Sequence, residues 1–297
     1  MANSVQRSLG RGLSVSAFGL GGGPLGSEAF DYRHAARLLH RALELGVRVI
    51  DTAPSYGASE ERIGRAIRSA STQLRDELVV VTKGGYGIPG VPDWTPAVIE
   101  GGIDRAVSML GTNRIAFLLH SCSLERLARG DLVAPLVRAR DAGKIRTIGY
   151  AGDGDALDWA VRSKAFDVVE CSVNVVDQRA LETVVPNAAS NGLAIIGKRG
   201  FASGVWANGG RDGPDSVYAR RFVDAYRDVG FDLGWEEIAV RFACHAPGVA
   251  TALFGTTSVE RLERAIGYAA RGPLPKIVTA CLTRAYATRR SDWSGVV

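Results

Sequence analysis

Eight short runs of Val, Ile, Leu and Ala punctuate this chain, and their regular spacing leaves few folds open. They fall at Ala17–Leu20, Val47–Thr52, Leu78–Lys83, Ile115–His120, Ile145–Tyr150, Val168–Val173, Leu193–Lys198 and Ala250–Gly255. Most show no polar alternation, which is the composition of strands covered on both faces. Between them lie stretches with apolar residues at helical spacing: Tyr32–Leu45, Glu60–Ile67, Ala97–Leu110, Leu132–Ala142 and Asp155–Ser163. Gly46, Gly111 and Gly143 stand where a helix would end. Eight strand–helix units of about thirty residues each predict a closed (β/α)8 barrel. A doubly wound parallel sheet is the alternative, because its crossovers give the same local pattern. Residues 5–16 read as a hairpin across the barrel floor, and Gly209–Asp215 as a long loop after the seventh strand. No stretch has the composition of a linker, so residues 1–297 read as one domain.

Composition narrows the function classes. With 46% hydrophobic and 23% charged residues the chain is ordinary globular material. Its net charge of +5 comes mostly from arginines spread along the sequence. The densest group, Arg284 with Arg289 and Arg290, is short and lacks interleaved aromatics, so no nucleic acid partner is expected. Cys122, Cys171, Cys244 and Cys281 fit no metal spacing and are too few to staple the chain, which reads as reduced thiols in a cytoplasm. The first residues lack a signal-peptide core, and no apolar run nears the ~20 residues that cross a bilayer, so no membrane partner is expected. His34, His40, His120 and His245 form no metal motif, and no Gly-x-Ser-x-Gly nucleophile elbow is present.

Function is carried by what ends the apolar runs. Asp51 and Tyr56 lie in Asp51-Thr52-Ala53-Pro54-Ser55-Tyr56-Gly57, Lys83 closes the third run, and His120 closes the fourth. A core strand gains nothing from a terminal Lys or His, whereas barrel enzymes build their sites at strand ends. A phenol near ~10 is a poor acid at neutral pH, and a nearby ammonium is expected to lower it, so Lys83 would tune Tyr56 into a general acid. Asp51 would hold Lys83 charged, and His120 could donate to a carbonyl oxygen. The set contains no nucleophile, so a hydride must come from a bound cofactor. The Gly21-Gly22-Gly23-Pro24-Leu25-Gly26 segment has dinucleotide-fingerprint spacing but opens no clean helix; small residues admitting a ligand at a strand end are the better account.

These motifs together resemble the aldo-keto reductases over nearly the whole chain. Arg7-Ser8-Leu9-Gly10 with Gly19-Leu20-Gly21, the Asp51–Gly57 segment with Ser59-Glu60-Glu61-Arg62-Ile63-Gly64, Leu118-Leu119-His120-Ser121, and Gly143-Lys144-Ile145-Arg146-Thr147-Ile148-Gly149 are all family-like. The resemblance implies a catalytic tetrad of Asp51, Tyr56, Lys83 and His120 and an extended NADP(H), with no metal. It places cofactor contacts at Gly21, Gly22 and Asp51, at Ala151-Gly152 where the family usually has Ser-Asn, and at Glu170 where it usually has Gln. Lys198 stands for a common stacking aromatic, with Arg199, Phe201 and Ser203 following. Gly255, Thr256, Thr257 and Arg261 resemble the site for the adenosine 2'-phosphate, with Arg264 as a second contact; a helix capped by Ser258 with an exposed arginine face is the competing account, and the other matches favour the phosphate. His120 favours carbonyl over C=C reduction in this family. The expected activity is reduction of an aldehyde or ketone, or oxidation of the matching alcohol or sugar. Tyr56, Tyr86, Trp94 and His120 are the expected substrate contacts, and Trp206 is a further candidate. Two alternatives stay open: a slow cofactor-sensing or regulatory protein of the same fold, which the departures at Ala151, Glu170 and Lys198 would suit, and a biosynthetic enzyme using the site for redox-assisted isomerisation or elimination.

Overall fold

A computed structural model of the chain describes residues 6–207, 209–210, 212–213 and 216–290. A two-stranded antiparallel hairpin, β1 (Gln6–Ser8) and β2 (Ser14–Ser16), opens it. Then β3 (Phe18–Gly21), α1 (Tyr32–Glu44), β4 (Val49–Asp51), α2 (Ser59–Ser69), α3 (Thr72–Glu77), β5 (Val79–Gly84), α4 (Pro96–Leu110) and β6 (Ile115–His120) alternate. After α5 (Leu124–Ala128) and α6 (Val133–Asp141) come β7 (Thr147–Ala151), α7 (Asp155–Ser163), β8 (Val168–Ser172), α8 (Arg179–Ser190) and β9 (Ala194–Lys198). The chain continues through α9 (Val217–Tyr226), α10 (Trp235–Cys244), β10 (Val249–Gly255), α11 (Val259–Ala270) and α12 (Lys276–Arg289). Strands β3 to β10 are all parallel and close into a barrel in the order β10-β3-β4-β5-β6-β7-β8-β9, so the barrel expectation holds and the open sheet does not.

Local chemistry accounts for the elements. Asp31, Thr95 and Ser258 cap α1, α4 and α11 with side-chain oxygens on backbone amides. Gly111 ends α4 at φ +67°, a conformation that disfavours any residue with a Cβ. The expected loop at Gly209–Asp215 falls partly outside the described residues, at positions 211, 214 and 215; before it lies a 3-10 turn at Ala202–Gly204. No helix among the described residues is long and apolar enough to cross a membrane.

Side-chain parity positions the site. On a strand alternate residues face one side, and here Val49, Val79, Val81, Ala116, Leu118, Val168 and Ile196 share one buried cluster inside the barrel. Leu9, Leu13 and Val15 of the hairpin belong to the same cluster, so the hairpin packs against the barrel interior. The intervening Ile50, Val80, Phe117, Val169 and Ile195 instead pack outward against the helices. One step further along the inward parity come Asp51, His120 and Lys198, the last residues of their strands, Lys83 next to the end of β5, and Glu170 at the middle of β8.

Candidate active site

Asp51, Lys83 and Glu170 form a buried three-charge cluster, with 4%, 1% and 2% of their surfaces exposed. Lys83 Nζ donates to Asp51 Oδ1 and, at 3.2 Å, to the Thr52 carbonyl. Glu170 Oε2 lies 3.5 Å from the same ammonium, outside hydrogen-bonding geometry and without another hydrogen-bond partner. Burial alone would lower the Lys83 ammonium, yet Asp51 and Glu170 outweigh it and hold the group charged. Burial, joined by the Glu170 charge, pushes Asp51 above the usual carboxylate range despite Lys83.

Tyr56 and His120 stand over this cluster, their rings edge-on with centroids 6.4 Å apart, and Lys83 Nζ is 5.3 Å from the Tyr56 centroid. The expected lowering of the Tyr56 phenol is not what this geometry yields. Burial raises it well above its ordinary value; Lys83 pulls down, but Asp51 and Glu170 push up again. Tyr56 is therefore protonated throughout the neutral range and serves as a donor. Burial and the Lys83 charge lower His120 to about 4, so its imidazole is neutral at pH 7.

The Asp51–Gly64 segment is locked by backbone contact as much as by side chains. Thr52 Oγ1 donates to Ser59 Oγ at 2.9 Å, and Ser59 Oγ donates to the Gly22 carbonyl at 2.9 Å. A Cβ on Gly26 would lie 1.6 Å from the Tyr56 carbonyl oxygen, so only glycine lets the two chains pass. The buried Glu60 accepts from Thr82 Oγ1 at 2.6 Å and Arg105 at 2.8 Å, tying α2 to β5 behind Lys83.

A cavity of about 390 Å³ runs from these groups along the barrel mouth. Asp51, Tyr56 and His120 line it, as do the expected cofactor residues Gly21, Glu170, Lys198, Arg199, Phe201, Ser203, Gly255 and Arg261. Lys83 lies beneath, reaching the cavity only through its neighbours. Gly22, Ala151, Gly152, Thr256 and Thr257 are not on its wall. Gly22 packs its backbone on the Asp51 carbonyl, Ala151 joins the barrel interior, and a Cβ on Gly152 would meet the Tyr150 hydroxyl at 2.5 Å. Thr256 Oγ1 accepts from the Ser258 amide, and the Thr257 carbonyl bonds the His34 ring.

Two carboxylates pair with cations of the cavity wall. Asp153 pairs with Lys198 at 3.0 Å and accepts from the Ser172 amide and hydroxyl. Glu236 takes Arg261 at 2.7 Å and Arg264 at 2.9 Å, while the Arg261 guanidinium lies 4.4 Å from the Phe201 centroid. Burial pulls Glu236 upward, but those two guanidinium groups outweigh it and hold the carboxyl low. Glu236 escapes a reading of the sequence, since Glu236-Glu237 in the first turn of α10 look like ordinary helix-start acids. Ser258 caps α11 as well, so the cap and the cavity-facing Arg261 coexist.

The expected substrate aromatics sit differently. Tyr86 and Trp94 are not on the main cavity wall; Tyr86 bonds His120, and Trp94 packs on Tyr86 with ring centroids 6.2 Å apart. Trp206 packs against the apolar clusters. His34, His40 and His245 bond backbone carbonyls, in keeping with structural roles.

Comparison with known proteins adds a family. The model of the Aldo/keto reductase family matches residues 17–286. The chain is 28% identical to a D-threo-aldose 1-dehydrogenase from a Pseudomonas species, covering 91% of this chain and 94% of that one. It is 26% identical to the L-galactose dehydrogenase of Arabidopsis thaliana, covering 86% and 85%. The holo form of an aldo-keto reductase from Bacillus halodurans superposes with a TM-score of 0.80 at 21% identity, covering 94% and 95%, which is likeness of fold.

Proposed function

The chain belongs to the aldo/keto reductase family, and from that premise we propose that it interconverts an aldehyde, ketone or sugar with the corresponding reduced or oxidised partner, using a nicotinamide dinucleotide. One observation carries the reading: the buried Asp51–Lys83 pair lies beneath Tyr56 and His120 in a cavity that Arg261 also lines. The residues present suit such a dinucleotide. Lys198, Arg199 and Arg261 supply cationic donors along the cavity, and Glu170 offers a buried oxygen with no hydrogen-bond partner. Gly21 and Gly255 meet so closely that a Cβ on Gly21 would lie 3.3 Å from the Gly255 nitrogen. When bound, the nicotinamide supplies or accepts the hydride. In the reductive direction Tyr56 donates its phenolic proton to the oxygen as the carbonyl carbon gains the hydride. Neutral His120 donates a hydrogen bond to that oxygen, and Lys83 stabilises the charge left on Tyr56. The names of the two dehydrogenase relatives make small sugars the first substrates to try, in both directions.

NADP(H) is the nucleotide that Arg261 and Arg264 support, since paired guanidinium groups suit a phosphate dianion. Glu236 favours a second reading, NAD(H), because a carboxylate already bridges both arginines and would repel that phosphate. Titration of native protein and Glu236→Gln with NADPH and NADH, followed by tryptophan emission, separates them. If Glu236 blocks the phosphate, native protein prefers NADH and the variant gains roughly tenfold for NADPH, about 1.4 kcal/mol. Native preference for NADPH, unchanged in the variant, rejects the NAD(H) reading. Failure to bind either nucleotide rejects the oxidoreductase reading itself.

A further inference from the structure

We propose that Tyr86 is a positioning residue for His120, donating its hydroxyl proton to Nδ1 so that Nε2–H is the group presented to the cavity. The inference rests on the reading of His120 as the donor to a substrate oxygen, but its structural half stands apart from it.

The geometry is specific. Tyr86 Oη lies 2.7 Å from His120 Nδ1, and their ring centroids are 5.8 Å apart. Ser55 Oγ lies 3.0 Å from the same phenol oxygen. His120 Nε2 makes no hydrogen bond among the described residues, and His120 lines the cavity. A neutral imidazole has one donor and one acceptor nitrogen, so whichever way the Tyr86 bond runs decides what Nε2 can do. If Nδ1 carried the proton, Nε2 would be a bare acceptor facing the carbonyl oxygen it should bind. A phenol is a stronger acid than a neutral imidazole N–H, and a ring nitrogen is a stronger acceptor than a phenol oxygen. The favoured chain therefore runs from the Ser55 hydroxyl to Tyr86 Oη, from the Tyr86 hydroxyl to Nδ1, and from Nε2–H into the cavity. Burial raises Tyr86, which keeps it protonated as that chain requires. Charges acting on His120 come from Lys83 on β5, Glu170 on β8 and Lys198 on β9.

The loop after β5 is built to hold this contact. Gly85 adopts φ +121°, and a Cβ there would lie 2.1 Å from the Trp94 ring. Trp94 returns to bond the Gly85 carbonyl through its amide at 2.7 Å, and the Gly87 amide donates to Asp93 at 3.1 Å. The loop thus closes on itself, with Trp94 backing Tyr86 against His120. Tyr86→Phe would keep this packing and lose only the hydroxyl.

The test is ¹⁵N NMR of the imidazole nitrogens in histidine-labelled protein without nucleotide, with the His120 signals assigned by their loss in His120→Gln. Native protein should show a single neutral tautomer with Nε2 protonated and Nδ1 accepting. Tyr86→Phe should show both tautomers averaging, and its kcat for carbonyl reduction should fall about tenfold with nucleotide affinity unchanged. That loss is smaller than the 10²–10⁴ attributed to a whole proton-transfer group, because only orientation is removed. A native His120 protonated at Nδ1, or identical spectra for native and variant, overturns the proposal. Mixed tautomers in the variant with undiminished kcat overturn its catalytic half. If native protein turns over no carbonyl, that failure belongs to the oxidoreductase reading, and the spectra still decide the tautomer.

Discussion

Replacing Glu170 with glutamine tests the charge balance beneath the cavity. The cluster sets two carboxyls against one ammonium out of reach of water, and a proton retained on Asp51, the carboxyl pushed upward, brings it to neutrality. At 3.5 Å and an effective dielectric near 20, Glu170 and Lys83 attract by about 5 kcal/mol. Desolvating the carboxylate costs several kcal/mol, so the net effect of Glu170→Gln on stability near neutrality is small. The pH dependence is the sensitive quantity. A carboxyl raised by folding keeps its proton in the native state when the unfolded chain has lost it. Stability is then fully present below the unfolded value near ~4 and is lost as pH rises toward the folded value, about 8 for Asp51. One such proton contributes ~1.4 kcal/mol per pH unit, at most about 4 kcal/mol between pH 5 and 8. Water reaching the site reduces this, and we expect about 2 kcal/mol, a fall in Tm of roughly 4 °C. Thermal unfolding at fixed ionic strength from pH 5 to 8 reads it directly. Glu170→Gln removes the like charge but not the burial, which is the larger cause, so its curve should be flatter than that of the native protein by part of this amount. Parallel curves for the two proteins would refute the influence of Glu170 on the Asp51 proton and the reasoning behind it.

Two further substitutions address the same groups. Tyr56→Phe should lower kcat for carbonyl reduction by about 10²–10⁴ while leaving nucleotide affinity unchanged; steady-state rates with binding titrations check this, and retained turnover would remove Tyr56 as the proton donor. Lys83→Met strands Asp51 and Glu170 without a counter-charge and should destabilise the fold by about 3–5 kcal/mol. Denaturant unfolding measures that loss, and one below 1 kcal/mol would mean that the carboxyls are already neutral.

Much of this protein is legible before its structure. Apolar runs without polar alternation predict parallel strands covered on both faces, and seven of the eight expected runs overlap their strands almost residue for residue, while Val47–Thr52 shortens to Val49–Asp51. The titratable ends of those runs also carry their own orientation. Val79 and Val81 face the barrel interior, so Lys83 two residues on must do so as well, and the same period of two brings Asp51, His120, Glu170 and Lys198 inward.

What escapes the sequence is which charges meet. Period and composition are local properties, whereas pairing depends on where closure brings distant segments. That Glu170 shares Lys83 with Asp51 follows from barrel closure, which carries β8 around to face β4 and β5 across the mouth. The upward shift of Tyr56, opposite to what a neighbouring ammonium alone would produce, comes from burial that no spacing of residues encodes. Glu236 reaches Arg261 only because α10 and α11 pack side by side, and Tyr86 reaches His120 only because Gly85 lets the chain turn beneath Trp94. The sequence alone determined the barrel and which side chains point into it; tertiary packing decided their partners, and with the partners their protonation, because both depend on distances between segments far apart in the chain.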